Sequence, residues 1–348
     1  MRLSVLDLTP VRTDQSTSNA LAATMRLAKV ADDLGYTRYW VAEHHNIPSV
    51  AATSPAVLTA MIAAATSRIR VGSGGVMLPN HAPLAVAEQF ALLEAAHPGR
   101  IDLGIGRASG ADPVASAVLR GGRGDRDNQG LNDFPENLAD VIALLSTAGV
   151  AVQLADRSYN LRSTPHAVSR PRVFVLGSSM QSAQVAAAQG LPYVFGHHLF
   201  GEHTDEALVF YRSQFVPSEL ADQPTAFLTV NTVVAETRDE AMALIRPYLR
   251  LQAQTATGHP AGRLELVEDA QQAALTPEQH RVAQGELSRA VIGTPAEALT
   301  QLRELADRFG VDELMLNPVA SARRGADPAS TPGRESTLRL LADAASAK

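Results

Sequence analysis

The 348-residue sequence contains no cysteine. That removes disulfides, thiolate nucleophiles, iron–sulfur ligation and cysteine zinc sites together. Lysine is scarce as well. Lys29 and Lys348 are the only two, arginine supplies the remaining basic charge, and the formal net charge is −6. The basic stripe that nucleic acid or an anionic membrane surface would require is missing, so neither partner is expected. Long apolar runs are lacking too. A span-length stretch without charge, residues 46–67, is interrupted by Pro48, Ser49, Thr53, Ser54 and Pro55. It reads as a loop and a helix, with Ser54 as N-cap and Pro55 in the first turn. The amino-terminal apolar run is too short for a signal peptide, and a cytoplasmic protein is the expectation.

What is present is apolar content of 45%, enough for a large core. Short apolar runs alternate with longer runs of helical period. The strand candidates are residues 3–8, 39–43, 69–77, 101–106, 172–177, 193–196, 227–235 and 313–317. The helix candidates are residues 19–34, 55–65, 83–95, 136–145, 182–189, 203–211, 238–252, 295–309 and 334–345. Eight strands, each followed by a helix, predict a single (β/α)₈ barrel over residues 1–348. An open dinucleotide-binding sheet is disfavoured because the first strand exits through Asp7-Leu8-Thr9-Pro10, without glycine. Two segments exceed ordinary loop length: residues 107–134 after the fourth strand, and residues 253–290, polar and partly helical, after the seventh. Both fall on the carboxyl-end face, where barrels build active sites, and lids there are one reading of them.

Glu43-His44-His45 ends the second strand. Alternation lets one of the two histidines continue inward, and His44 is the candidate to face the barrel mouth and handle a proton. His197-His198 ends the sixth strand. Adjacent histidines diverge, and no His-x-His occurs in the first strand, so no metal is expected. The third strand carries Gly72-Ser73-Gly74-Gly75-Val76-Met77. Glycines there remove packing, and offer a bare surface for a flat ligand or room for a bulge. Arg107 after the fourth strand, with Ser178, Ser179 and Ser182 after the fifth, forms a candidate phosphate corner at a helix start. The aromatic residues Phe134, Tyr159, Phe195 and Phe200 are candidates to line a pocket.

Taken together, Tyr39-Trp40-Val41-Ala42-Glu43-His44-His45, Gly72 through His81, Ile101-Asp102-Leu103-Gly104-Ile105-Gly106-Arg107, Leu176-Gly177-Ser178-Ser179 and Ile292-Gly293-Thr294-Pro295 resemble the bacterial luciferase-like, flavin-dependent monooxygenases. The likeness is to the single-subunit branch. It implies a barrel that binds FMN at its carboxyl-end face, usually as a homodimer, with reduced FMN supplied by a separate NAD(P)H-dependent flavin reductase. Dioxygen would be trapped as a flavin peroxide and passed to a small organic substrate. The resemblance maps the functional histidine to His44, with Glu43 beside it. It maps FMN contacts to Gly74, Gly75 and Met77, and the phosphate ligands to Arg107, Ser178, Ser179 and Ser182. A non-proline cis peptide would fall at Gly74-Gly75. Where luciferase has a reactive cysteine before the phosphate arginine, this chain has Gly106. Two other readings keep flavin binding: a flavin- or deazaflavin-dependent dehydrogenase, and a flavin-binding protein without catalysis.

Overall fold

The computed structural model describes residues 1–120 and 132–346. The chain begins β1 (Arg2–Asp7), α1 (Thr17–Asp33), β2 (Arg38–Val41), α2 (Pro55–Ala65), β3 (Arg70–Met77), α3 (Pro83–Ala96) and β4 (Ile101–Gly106). It continues through α4 (Pro113–Leu119), α5 (Phe134–Leu144), a hairpin of β5 (Val150–Leu154) and β6 (Arg157–Leu161), β7 (Arg172–Gly177), α6 (Met180–Ala188), β8 (Tyr193–Phe195) and α7 (Thr204–Ser213). The last part holds β9 (Ala226–Val234), α8 (Arg238–Ala256), α9 (Val267–Gln272), α10 (Pro277–Arg289), β10 (Val291–Gly293), α11 (Pro295–Phe309), β11 (Glu313–Pro318) and α12 (Pro332–Ser346). Eight strands close on themselves in the order β1-β2-β3-β4-β7-β8-β9-β11, every pair parallel. This is the expected (β/α)₈ barrel, with all eight strands where the sequence suggested them.

The first turns explain why several helices start where they do. Pro55, Pro83 and Pro295 each occupy the first turn, where the missing N–H costs nothing. Ser54 precedes Pro55 as expected, but its hydroxyl makes no capping bond. Thr294 does cap, exchanging bonds with Glu297 in a capping box. Within the first long segment α4 lies among the described residues, while residues 121–131 lie outside them, and the second, residues 253–290, is partly helical as expected, holding the end of α8, α9 and α10. The hairpin of β5 and β6, between α5 and β7, was not among the expected elements.

Inward side chains stack in layers. At the amino-terminal end Arg38 donates to Glu313 at 2.6 Å and to Asp102 at 2.8 Å, and Ser4 adds a bond to Glu313 at 2.6 Å. These charges are fully buried but mutually paired, the condition under which burial is tolerated. Above them Trp40, Phe174 and Phe227 pack edge-on or tilted, with centroids 5.0 to 5.8 Å apart. Leu6, Val194 and Met315 complete the layer. Larger apolar clusters fill the space between sheet and helices. The middle of the barrel is therefore solid, and its open end is the carboxyl-end face.

Candidate active site

Arg38 and Trp40 point into the barrel, and alternation carries Ala42 and His44 in the same direction beyond the end of β2. His44 is half-buried. Burial pushes its pKa below the usual imidazole value, against a hydrogen bond to the Gly110 backbone and the charge of Glu43, which raise it. The ring is therefore neutral at pH 7, with one nitrogen engaged by Gly110 and the other able to accept a proton.

Glu43 does something different. Its side chain is 0% exposed. Oε1 takes bonds from His45 at 2.9 Å and His81 at 2.8 Å, and Oε2 accepts the Met77 N–H at 2.9 Å. These partners hold its pKa below the ordinary carboxylate range despite burial, which works the other way. With both oxygens consumed inside the wall, Glu43 positions the ends of β2 and β3. His45 is thereby a structural partner, and His81 is a member of the site that sequence reasoning passed over although it ended a quoted motif.

β3 is interrupted where its glycines lie. Its register with β4 shifts between Ser73 and Val76, and the Gly74-Gly75 peptide is cis. A Cβ on Gly74 would stand 2.7 Å from Leu6 Cδ1, and one on Gly75 would stand 2.9 Å from the Gly104 carbonyl. Ser73 Oγ donates to the Gly104 carbonyl at 2.8 Å and accepts the Gly104 N–H at 3.0 Å, mending the break. Met77 Sδ lies 3.2 Å from where a Cβ at Gly106 would be.

Arg107 leaves the end of β4 half-buried, and its guanidinium donates to the exposed side-chain amide of Gln181 in the first turn of α6. Ser179 caps that helix by accepting the Ser182 N–H. The amides of Met180 and Gln181, in the first turn of the helix, have no intrahelical acceptor and lie next in sequence to half-buried Ser178. Ser182, expected among the phosphate ligands, is 3% exposed, and its hydroxyl is shared between the Ser179 carbonyl at 2.7 Å and Tyr193 at 2.8 Å. It fixes the helix start from behind.

His198 follows β8, and its Nδ1 is bonded to Thr229 of β9. Burial above all, then the fields of His44, His197 and Arg289, lowers its pKa to about 3. His197 turns away, bonded to Thr204 at 2.8 Å and edge-on to Phe309. Among the described residues, no group of three His, Cys, Asp or Glu could hold a metal ion. The expected lining aromatics do not gather. Phe134 and Phe195 belong to the outer core, while Tyr159 and Phe200 are exposed.

With this geometry in view, the comparisons are decisive for family. The profile described as luciferase-like monooxygenase matches residues 1–313. The chain belongs to that family. Within it, the chain is 37% identical to the uncharacterized protein YvbT of Bacillus subtilis over 315 residues, 90% of each chain. It is 35% identical to a luciferase-like monooxygenase of Escherichia coli, again over 90% of each. The crystal structure of apo-MsnO8 matches this luciferase-like chain with a TM-score of 0.85 at 33% identity, covering 100% of this chain and 99% of that one. More distant structures share the fold alone. They include the oxygenating constituent of 3,6-diketocamphane monooxygenase from Pseudomonas putida in complex with FMN, at TM-score 0.69, 17% identity and 98% and 97% coverage. An F420-dependent secondary alcohol dehydrogenase matches at TM-score 0.68, 13% identity and 99% and 98% coverage. Among the described residues, no helix is long and apolar enough to cross a membrane.

Proposed function

We propose that this luciferase-like chain binds reduced FMN at the carboxyl-end face of its barrel and uses it with dioxygen to oxidise a small organic substrate. A separate NAD(P)H-dependent reductase supplies the reduced cofactor. The observation that carries this reading is an anion-binding corner and a neutral histidine on one rim: Arg107 with the capped start of α6, and His44 two strands before it in the barrel.

The donor set suits the phosphate of FMN. Arg107 offers a planar cation whose present partner, Gln181, is exposed and neutral and so is readily exchanged. The first-turn amides of Met180 and Gln181, aided by the helix dipole and the Ser178 and Ser179 hydroxyls, add neutral donors. Gly74 and Gly75 leave a stretch of wall without side chains, and Met77 is anchored beside it through Glu43. When bound, reduced FMN supplies the electrons that activate dioxygen. The remaining work belongs to the protein. His44 accepts or returns one proton at the ring nitrogen not engaged by Gly110, and its burial keeps that nitrogen free at neutral pH. The solid barrel beneath keeps water from the site's floor. The same reading takes residues 1–348 as one domain acting in the cytoplasm as a homodimer.

The test is to reduce FMN by light in the presence of the protein without air, then admit isotopically labelled dioxygen with candidate substrates. Oxygen uptake in step with turnover, and one labelled atom in the product, is the expected result. Turnover that consumes no oxygen would replace this reading with a dehydrogenase. Bound flavin with no turnover under any reductant would replace it with a binding protein.

A further inference from the structure

A second feature of the barrel mouth lies across from the phosphate corner. Counting round the barrel, β11 and β1 stand four strands from β4 and β7. Between the ends of β11 and β1, under α8, is a cavity of about 70 Å³. Its floor is Leu8 and Asn317, its side Tyr248 and Leu251, its cover Val50 and Leu264. The cover is ordered backbone: the Val11 N–H donates to the Ser49 carbonyl at 2.8 Å, Ala51 to Thr9 at 2.9 Å, and Leu264 to Val11 at 3.0 Å. Three loops, after β1, β2 and α8, are thus stitched into one roof.

Behind the floor runs a buried polar chain in which each donor points the same way. Asn317 Nδ2 donates to Asn231 Oδ1 at 2.8 Å, Asn231 Nδ2 to the Tyr248 hydroxyl at 2.9 Å, and Tyr248 to Glu286 at 3.4 Å. Glu286 is in turn paired with Arg289. Glu286, as the terminal acceptor, fixes the direction of every bond in the series. Asn317 is the open end. Among the described residues its second N–H and its Oδ1 have no hydrogen-bond partner, and Asn317 is the chain member that, with Tyr248, lines the cavity. An amide so held presents one donor and one acceptor together. Arg334 is the charged residue of the lining, and it is occupied by Asp7 and by the Pro318 carbonyl at 2.9 Å. The cavity therefore offers no free charge to a ligand, and an ion entering it would be desolvated without compensation.

We propose that this cavity holds the substrate's recognition end, a short aliphatic body carrying a neutral group that both donates and accepts, such as a carboxamide or an alcohol, and that Asn317 reads that group. The inference rests on the monooxygenase reading for the word substrate. The cavity's preference can be measured without turnover.

The experiment is calorimetric titration of the full-length protein with four probes of equal body: butanamide, butan-1-ol, butanoate and butylammonium. Butanamide and butan-1-ol are expected to bind, and both ions about tenfold more weakly or worse. Asn317→Leu should cost butanamide about tenfold in affinity. That variant leaves Asn231 short of a donor, so Leu251→Trp supplies an independent arm: it fills the cavity from α8 and should abolish binding of all four probes. Ions bound as tightly as butanamide, no binding of any probe, or unchanged affinity in Leu251→Trp would each overturn the proposal. FMN titration of the same samples separates the two readings. Loss of FMN binding alone, with the probe preference intact, would sink the cofactor assignment and support the cavity.

Discussion

Glu43 accepts the backbone N–H of Met77 at 2.9 Å, tying the exit of β2 to the exit of β3 through one buried carboxylate. Two histidines press on its other oxygen. Glu43→Gln keeps the shape, removes the charge and leaves an NH₂ facing donors. It is expected to lower stability by about 1–3 kcal/mol, the cost of unmade buried hydrogen bonds. Urea unfolding checks this, and an unmoved midpoint would mean the carboxylate carries no such role.

Arg107→Ala should weaken FMN by about tenfold or more while leaving riboflavin affinity unchanged, because the lost contact is to phosphate alone. Fluorescence titrations of the two flavins side by side decide it. Equal weakening of both would move Arg107 out of the phosphate corner.

His44→Ala should bind FMN almost as wild type does and lose about 10²–10⁴-fold in oxygenation rate, the usual worth of a placed acid–base group. Since the ring's pKa is already lowered by burial, the wild-type rate should be flat above neutrality and fall on the acid side as His44 protonates. Unchanged turnover in the variant would remove His44 from the chemistry.

Acid should loosen the fold before most carboxylates titrate. His197 and His198 are held down to about 4 and about 3 by burial and neighbouring charge. In the unfolded chain each would take up a proton near about pH 6.5. The unfolded state therefore binds more protons between these limits, so the stability these rings contribute is complete above about pH 6.5 and declines as pH falls toward 4 and 3. Urea midpoints at about pH 7.5 and about pH 5.5 should differ in the wild type, and differ less in His197→Gln/His198→Gln. Parallel slopes would contradict the assignment.

The barrel was legible because its strands are short, apolar and bounded, and because helices such as Pro55–Ala65 and Pro295–Phe309 announce their first turns. The hairpin was not. Tyr159 and Leu161 alternate with polar neighbours, but Val150, Val152 and Leu154 are separated by Ala151 and Gln153, the strands are exposed on both faces, and the turn at Ala155 has no glycine, although its φ is +55°. The capping box of Thr276 with Gln279 marks the start of α10 and could have been found by spacing. In the site, His44 and Arg107 followed from their places at strand ends. The use of Glu43 did not, since it depends on Met77 and His81 arriving from another strand. The Asn317–Asn231 contact depends likewise on the register of two strands distant in sequence.

The ion pairs among Arg38, Asp102 and Glu313 have a consequence for traffic. A barrel stoppered at its amino-terminal end by paired charges and filled above them by aromatic rings has no through-passage along its axis. Whatever reaches His44 from along that axis, and whatever leaves it, must use the same doorway.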